Sequence, residues 1–166
     1  FSVMPTNLFG PNDNYHPENS HVLPALIRRF YEARETNAPE VVVWGTGTPR
    51  REFMHSYDCA QAIVHLAETL TSQRLSDAYK GRTPWSHVNI VSGFEVTVRQ
   101  LAEMIANEVE YSGRITFDSS RPDGTPRKLL DTTLLSSLGW RQTEAFKSRL
   151  AHAVRWAINN AERAFV

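Results

Sequence analysis

Apolar residues recur at intervals of three and four over residues 20–35, which is the period of a helix that buries one face. This face consists of Leu23, Leu26, Ile27, Phe30 and Tyr31. The same spacing predicts four further helices, over about 57–70, 98–110, 132–138 and 143–160. Ser20, Ser56 and Thr97 stand just before three of these helices. They are predicted N-caps, because a hydroxyl oxygen can accept from the main-chain N–H groups of a first helical turn.

Short runs of β-branched and apolar residues predict the strands. These runs lie at about 1–4, 40–44, 50–55, 88–91 and 114–118. Pro5 has no N–H group to donate to a ladder, so the first strand is expected to end there. Residues 71–86 show no period and are predicted to form a loop. Because strands and helices interleave, the sequence predicts an α/β or α+β fold with a small mixed sheet.

Three polar loops, at 5–21, 44–51 and 119–128, contain Gly and Pro where the backbone must turn. The first carries two histidines, and its length of about 15 residues is typical of a functional loop, although a solvated surface loop is an equal alternative. Together the loops supply Trp44, Arg50, Arg51, Arg127 and Lys128. Guanidinium groups match phosphate oxygens and an indole can stack on a base, which favours a site for a phosphorylated small molecule. Taken singly, each of these cations is equally well explained as a solvated surface charge.

Composition narrows the possible functions. The chain has 166 residues, of which 41% are hydrophobic and 22% charged, as in one globular domain. Basic and acidic residues number 18 each and are interspersed, which argues against nucleic acid or an anionic membrane as a partner. The single cysteine, Cys59, lies on an apolar helix face, and we expect it in the core, with no disulfide and no metal site. With no long apolar run and no signal peptide, we expect a cytoplasmic protein.

Three segments are more specific than composition. They read PTNLFGPNDNYHPENSHVLPALIRRF, VVVWGTGTPRREFMHSYDCA and RPDGTPRKLLD, and together they closely resemble the C-terminal half of the GDP-L-fucose synthase family of extended short-chain dehydrogenases/reductases. The resemblance implies the last Rossmann elements, at about 1–20 and 50–95, and a small mixed α/β substrate-binding region within residues 1–166. It also implies NADP(H) as the cofactor and a homodimer in the full-length protein. The implied reaction is 3,5-epimerisation of GDP-4-keto-6-deoxymannose followed by reduction at carbon 4, which gives GDP-L-fucose.

The resemblance also assigns site residues by position. His21 matches an acid/base of the epimerisation that also approaches the cofactor, a role that suits an imidazole because its pKa in water is near neutrality. The segment against the nicotinamide end of the cofactor corresponds to Pro5, Thr6, Asn7 and Leu8. The residues that hold the GDP-sugar correspond to Arg29, Trp44, Arg51 and Asp123. Among these we expect Arg51 to pair with the pyrophosphate and Asp123 to accept from hydroxyl groups or ring nitrogens.

Other features of such a reductase are missing from the sequence. It contains no Gly-x-x-Gly-x-x-Gly turn, and no tyrosine is followed by a lysine four positions later. Cys59 lies outside the segment in which the family has its acid/base cysteine. We therefore expect the chain to be about half of an enzyme, without the cofactor-binding half and inactive alone. Two alternatives stay open: another nucleotide-sugar epimerase or dehydratase of the same family, and a GDP-sugar-binding module without a reaction.

Overall fold

Strands and helices alternate along the residues that the computed structural model describes, 1–79 and 87–165. The strands are β1 (Ser2–Pro5), β2 (Asn7–Phe9), β3 (Glu40–Trp44), β4 (Arg50–His55), β5 (His87–Ile90), β6 (Glu95–Thr97), β7 (Arg114–Asp118) and β8 (Arg127–Lys128). The helices are α1 (Val22–Glu35), α2 (Ser56–Thr69), α3 (Ser72–Ala78), α4 (Val98–Val109), α5 (Thr133–Ser137), α6 (Phe146–Asn159) and α7 (Ala161–Ala164). The prediction of an α/β fold is confirmed.

The strands form three small groups. β1 pairs with β5 and β3 pairs with β7, both in parallel. The third group is mixed, because β4 runs parallel to β2 and β8 but antiparallel to β6. β4 is therefore the central strand of the mixed sheet, and it connects the beginning of the chain with the segment around residues 127–128.

The apolar side chains form two buried clusters. The larger one joins α1, α4 and α6 with β3, and its fully buried members include Ile27, Phe30, Leu101, Ile105 and Leu150. The smaller one joins β4, β5 and α2, and it contains Met54, Cys59, Leu66, Val88 and Ile90. Each fully buried side chain of this size contributes roughly 1.5–3 kcal/mol of transfer free energy. Cys59 is buried, as expected, and burial raises the pKa of its thiol.

Five elements were not predicted. β2 and β8 lie inside segments predicted to be loops, and α3 occupies part of the predicted loop at 71–86, whose residues 80–86 lie outside the described residues. β6 and α7 are the other two. β2 and β6 have only three residues each and exist because they pair with β4. α3 buries none of its side chains, so it leaves no apolar period in the sequence.

The predicted N-caps were right once in three cases. The Thr97 hydroxyl accepts from the Gln100 N–H at 3.0 Å, and the Gln100 side chain accepts from the Thr97 N–H at 2.9 Å, which completes a capping box. The predictions for Ser20 and Ser56 were wrong. His21 is the N-cap of α1 without a side-chain bond, and the Nδ1 atom of His55 caps α2 by accepting from the Tyr57 N–H at 3.1 Å.

Candidate functional site

A cleft of about 330 Å³ lies between the first turns of α1, the end of β3, the start of β4 and the loop before β8. Its lining includes Arg29, Trp44, Arg51 and Asp123. These are the four residues that the resemblance assigned to a GDP-sugar, and they come from four separate segments of the chain. The structure thus brings them together, while their binding roles stay predictions.

Trp44 forms an exposed aromatic wall of this cleft. β3 alternates between buried and exposed side chains, so its last residue points outward and is 60% exposed. The guanidinium groups of Arg29 and Arg121 lie 5.3 and 5.1 Å from the centroid of the indole. Arg29 is held in place by a 3.3 Å hydrogen bond from its Nη1 to the carbonyl oxygen of Val42. A flat ring with two adjacent cations suits a ligand that has both a planar base and negative charge.

Asp123 ties two loops of the cleft together. Its Oδ1 accepts from the main-chain N–H of Thr46 at 2.9 Å, and its Oδ2 accepts from the Thr46 hydroxyl at 2.6 Å. The hydrogen bonds from Thr46, together with the charge of Arg51, lower the pKa of the Asp123 carboxyl. Gly45 makes the approach possible, because its φ is +85° and a Cβ there would lie 2.3 Å from Oδ1. Asp123 is an ionised acceptor whose position is set by Thr46.

Arg51 fixes the same loop from the opposite side. Its Nη1 donates to the carbonyl oxygens of Thr125, at 2.5 Å, and Arg50, at 2.8 Å. A Cβ at Gly124 would come within 2.9 Å of Nη2, so the loop backbone runs directly past the guanidinium. Both bonds use Nη1, and Nε and Nη2 donate to no atom among residues 1–79 and 87–165. That edge remains available to a phosphate group.

Three of the four loop cations that the sequence assigned to an anion site lie away from this cleft. Arg50 and Arg127 both pair with Glu95, with nitrogen–oxygen distances of 3.0 and 2.9 Å, and these pairs lower the pKa of the Glu95 carboxyl. Neither these two arginines nor Lys128 line the cleft. The expectation that the three loops contribute their cations to one anion site was therefore wrong for all but Arg51.

The residues assigned to the cofactor lie apart from the cleft, at the junction of β1 and β2. Thr6 is buried, and its main-chain N–H donates to the carbonyl oxygen of Ile90 at 3.1 Å. The Asn7 side chain donates from Nδ2 to the carbonyl oxygen of Glu52 at 2.7 Å, which leaves its Oδ1 as an acceptor. Pro5 and Leu8 are exposed. His21 is also exposed, and it neighbours Ser20, which lines the cleft.

Sequence reasoning missed Glu52, which supports this junction. Its side chain is fully buried and accepts from the Gly93 N–H at 2.6 Å and from the Ser92 hydroxyl at 3.3 Å. The main-chain carbonyl of the same residue holds Thr6 and Asn7. Its donors are about forty positions away along the chain, so no local pattern could have revealed them.

Residues 1–79 and 87–165 contain neither a cluster of metal-ligating side chains nor a helix suited to crossing a membrane. In residues 1–79 and 87–165 no group of three His, Cys, Asp or Glu side chains is close enough to hold a metal ion. No helix in those same ranges combines the length and the apolar character needed to span a membrane.

Comparison with known proteins gives consistent matches. The NAD dependent epimerase/dehydratase family matches residues 1–80. GDP-L-fucose synthase from Escherichia coli is 51% identical over 162 residues, which are 98% of this chain and 50% of that protein. GDP-L-fucose synthase 1 from Arabidopsis thaliana is 52% identical over 96% of this chain and 46% of its own length. The chain therefore spans about half the length of the curated relatives that it matches.

Solved structures agree with these matches. The crystal structure of a GDP-L-fucose synthetase from Naegleria fowleri bound to NADP superposes with a TM-score of 0.83 at 30% identity. The superposed region is 98% of this chain and 48% of the Naegleria fowleri chain. A UDP-glucose 4-epimerase from Thermotoga maritima has a TM-score of 0.74 at 20% identity, which shows the fold alone.

Proposed function

We propose, from the premise that the chain is the C-terminal part of an extended short-chain dehydrogenase/reductase, that it is the GDP-sugar-binding part of a GDP-L-fucose-making enzyme. In full length this enzyme would epimerise GDP-4-keto-6-deoxymannose at carbons 3 and 5 and reduce it at carbon 4. The observation that carries the proposal is the cleft that collects Arg29, Trp44, Arg51 and Asp123. Relatives that are about half identical to the chain and are named GDP-L-fucose synthase support it.

The cleft offers one feature for each part of a GDP-sugar. The exposed face of Trp44 suits a purine ring. The Nε and Nη2 edge of Arg51 matches the oxygens of a diphosphate, and the ionised Asp123 accepts from hydroxyl or ring N–H groups. A cavity of about 330 Å³ is at the small end of ligand pockets, so it suits part of the nucleotide sugar, with the remainder reaching toward the cofactor.

His21 is the residue that we assign to proton transfer. Epimerisation next to a ketone requires a group that removes a proton from carbon and returns one, and an imidazole can do both near neutral pH. It is the N-cap residue of α1 and follows Ser20, which lines the cleft. At the β1–β2 junction the Oδ1 of Asn7 and the exposed side chain of Leu8 fit the amide and the ring of a nicotinamide. NADP(H), when bound there, supplies the hydride for reduction at carbon 4.

A second candidate has support from a different match. A GDP-D-glycero-L-gluco-heptose synthase from Campylobacter jejuni superposes with a TM-score of 0.79 at 27% identity. The same cleft could thus serve a GDP-linked sugar other than fucose. A GDP-sugar-binding module without catalytic activity would use the same residues as well. All of these candidates therefore share the GDP-sugar site and differ in the reaction, if any, that takes place there.

Calorimetric titration of the 166-residue chain with GDP-fucose, UDP-glucose and NADPH tests the binding proposal, after circular dichroism has shown that the chain is folded. We expect GDP-fucose to bind and UDP-glucose to bind at least tenfold more weakly. Arg51→Ala should weaken GDP-fucose binding by about 10-fold or more, because a charge-assisted hydrogen bond to the diphosphate is worth about 1.5–3 kcal/mol.

Arg155→Ala is the matched control, because it removes an exposed guanidinium on α6 that does not line the cleft. Its affinity for GDP-fucose should equal that of the unmodified chain. The assignment of the cleft would be overturned if the folded chain did not bind GDP-fucose. It would also be overturned if Arg51→Ala and Arg155→Ala weakened GDP-fucose binding equally.

A further inference from the structure

In the part of the chain that the structure describes, two acidic residues line the cleft, Glu18 and Asp123. They differ in the hydrogen bonds that they already accept. Each oxygen of Asp123 accepts from Thr46, Oδ1 from the main-chain N–H at 2.9 Å and Oδ2 from the hydroxyl at 2.6 Å. Glu18 is exposed, and its carboxylate accepts from no donor and pairs with no cation among residues 1–79 and 87–165. Both of its oxygens are therefore available to a ligand.

Hydrogen bonds within the loop fix the turn that carries Glu18. The Oδ1 of Asn14 accepts from the His16 N–H at 3.0 Å, and the Nδ1 of His16 accepts from the Glu18 N–H at 3.1 Å. The Nδ2 of Asn14 also donates to the carbonyl oxygen of Asn19 at 3.2 Å. The main chain is thus held on both sides of Glu18. A side chain on such a turn loses less freedom when it binds a ligand than one on an unsupported loop.

The charge of Glu18 differs from that of the two cations in the same cleft. Arg29 lies against the exposed indole of Trp44, and Arg51 has an edge that is free for phosphate oxygens. A carboxylate repels those oxygens, so it does not assist the binding of a diphosphate. Its presence beside the two arginines indicates that another part of the ligand presents N–H or O–H donors.

We propose that Glu18 is a specificity-determining residue that accepts from the N1–H and the N2 amino group of a guanine ring. This inference rests on the proposed function, which supplies a guanosine nucleotide as the ligand. Two carboxylate oxygens match two parallel donors side by side, as they do in pairs with arginine. Guanine has two such donors on one edge, hypoxanthine lacks the amino group, and uracil has a single N–H between two carbonyl groups. The oxygens of Asp123, which already accept from Thr46, are left for single hydroxyl groups of the ligand.

Calorimetric titration of the folded 166-residue chain with GDP and with inosine diphosphate tests this contact, because the two ligands differ only in the N2 amino group. We expect GDP to bind about 10-fold or more tightly than inosine diphosphate, since the latter leaves a carboxylate oxygen without its donor. Glu18→Gln should reduce this preference to less than about 2-fold, because the carboxamide turns an N–H₂ group toward one of the two guanine donors.

Two further variants separate Glu18 from the other carboxylates. Glu68→Gln removes an exposed carboxylate on α2 that does not line the cleft, and it should keep the full preference for GDP. Asp123→Asn should weaken the binding of GDP and of inosine diphosphate by the same factor, because the hydroxyl groups are common to both ligands. The proposal would be overturned if Glu18→Gln kept the preference, or if Asp123→Asn removed it.

The same titrations distinguish this proposal from the proposed function. Equal affinities of the unmodified chain for GDP and inosine diphosphate would refute the role of Glu18 and leave the GDP-sugar cleft in place. A folded chain that binds neither nucleotide would contradict both the cleft assignment and the role of Glu18.

Discussion

At the scale of single residues, the buried ionisable groups are the most informative. Burial, the charge of Arg149 and the neighbouring His152 lower the pKa of His55 to about 4. Its Nδ1 accepts from the Tyr57 N–H, so the neutral ring carries its proton on Nε2, which lies 3.3 Å from Nδ1 of His152. His55 therefore donates to His152 and stays neutral near pH 7.

This state gives a pH dependence of stability. In the unfolded chain a histidine takes up a proton as the pH falls below about 6.5, whereas His55 in the folded chain does so only near pH 4. The unfolded state thus binds more protons in this range, and the free energy of unfolding should decrease by up to about 3 kcal/mol as the pH falls from 6.5 to 4.

Urea denaturation of His55→Asn at a series of pH values measures this contribution. The variant keeps an N-cap acceptor but cannot titrate in this range, so its free energy of unfolding should decrease less steeply than that of the unmodified chain. His16→Gln, which removes an exposed histidine, should show the unmodified slope. An unchanged slope in His55→Asn would refute the assignment.

At the scale of secondary-structure elements, two of the three helices with predicted hydroxyl caps, α4 and α2, behave differently. Thr97 accepts from the N–H of Gln100 and begins α4. Ser56 is already the first residue of α2, because the ring of His55 takes the place of the hydroxyl group. A hydroxyl residue before an apolar period is thus a cap only if no better acceptor precedes it.

The difference can be measured by comparing two alanine substitutions. Thr97→Ala should lower the free energy of unfolding by about 0.5–2 kcal/mol, because it removes a side-chain cap. Ser56→Ala should lower it by less than about 0.5 kcal/mol, as for a surface residue without a special contact. Equal losses in thermal or urea denaturation would contradict the cap assignments.

At the scale of the whole molecule, one ion pair connects the two hydrophobic clusters. Asp58 on α2, beside the smaller cluster, accepts from the guanidinium of Arg149 on α6, part of the larger one, with Nε–Oδ distances of 3.0 and 2.9 Å. The side chains are 1% and 13% exposed. This bidentate pair joins segments that are 91 positions apart in the sequence.

Removing one partner should leave an uncompensated charge in a dry environment. Asp58→Ala should therefore lower the free energy of unfolding by roughly 3–5 kcal/mol. Glu32→Ala is the control, because it breaks the Arg28–Glu32 pair on the surface of α1 and should cost less than about 0.5 kcal/mol. Similar losses in the two variants would show that the buried pair does not hold the clusters together.

Most of the regular elements could be predicted from the sequence. The strand of residues 40–44 and the apolar helix face that begins at Leu23 can be recognised from neighbouring residues alone, because helix and strand periods are local properties. The family resemblance also assigned Arg29, Trp44, Arg51 and Asp123 to the GDP-sugar before any geometry was available, and their binding roles stay predictions. That these four share one cleft could not be derived from their spacing.

What the sequence determined by itself was the α/β class, the main helices and strands, the capping box at Thr97 and the likeness to GDP-sugar enzymes. The tertiary structure alone decided which charged side chains pair with one another and which remain available to a ligand. Glu95 pairs with Arg50 and Arg127, which lie 45 and 32 positions away along the chain, and one buried carboxylate oxygen of Asp13 is left without a hydrogen-bond partner. The physical reason is that local patterns arise from adjacent side chains, whereas pairing and burial depend on which distant segments the fold brings into contact.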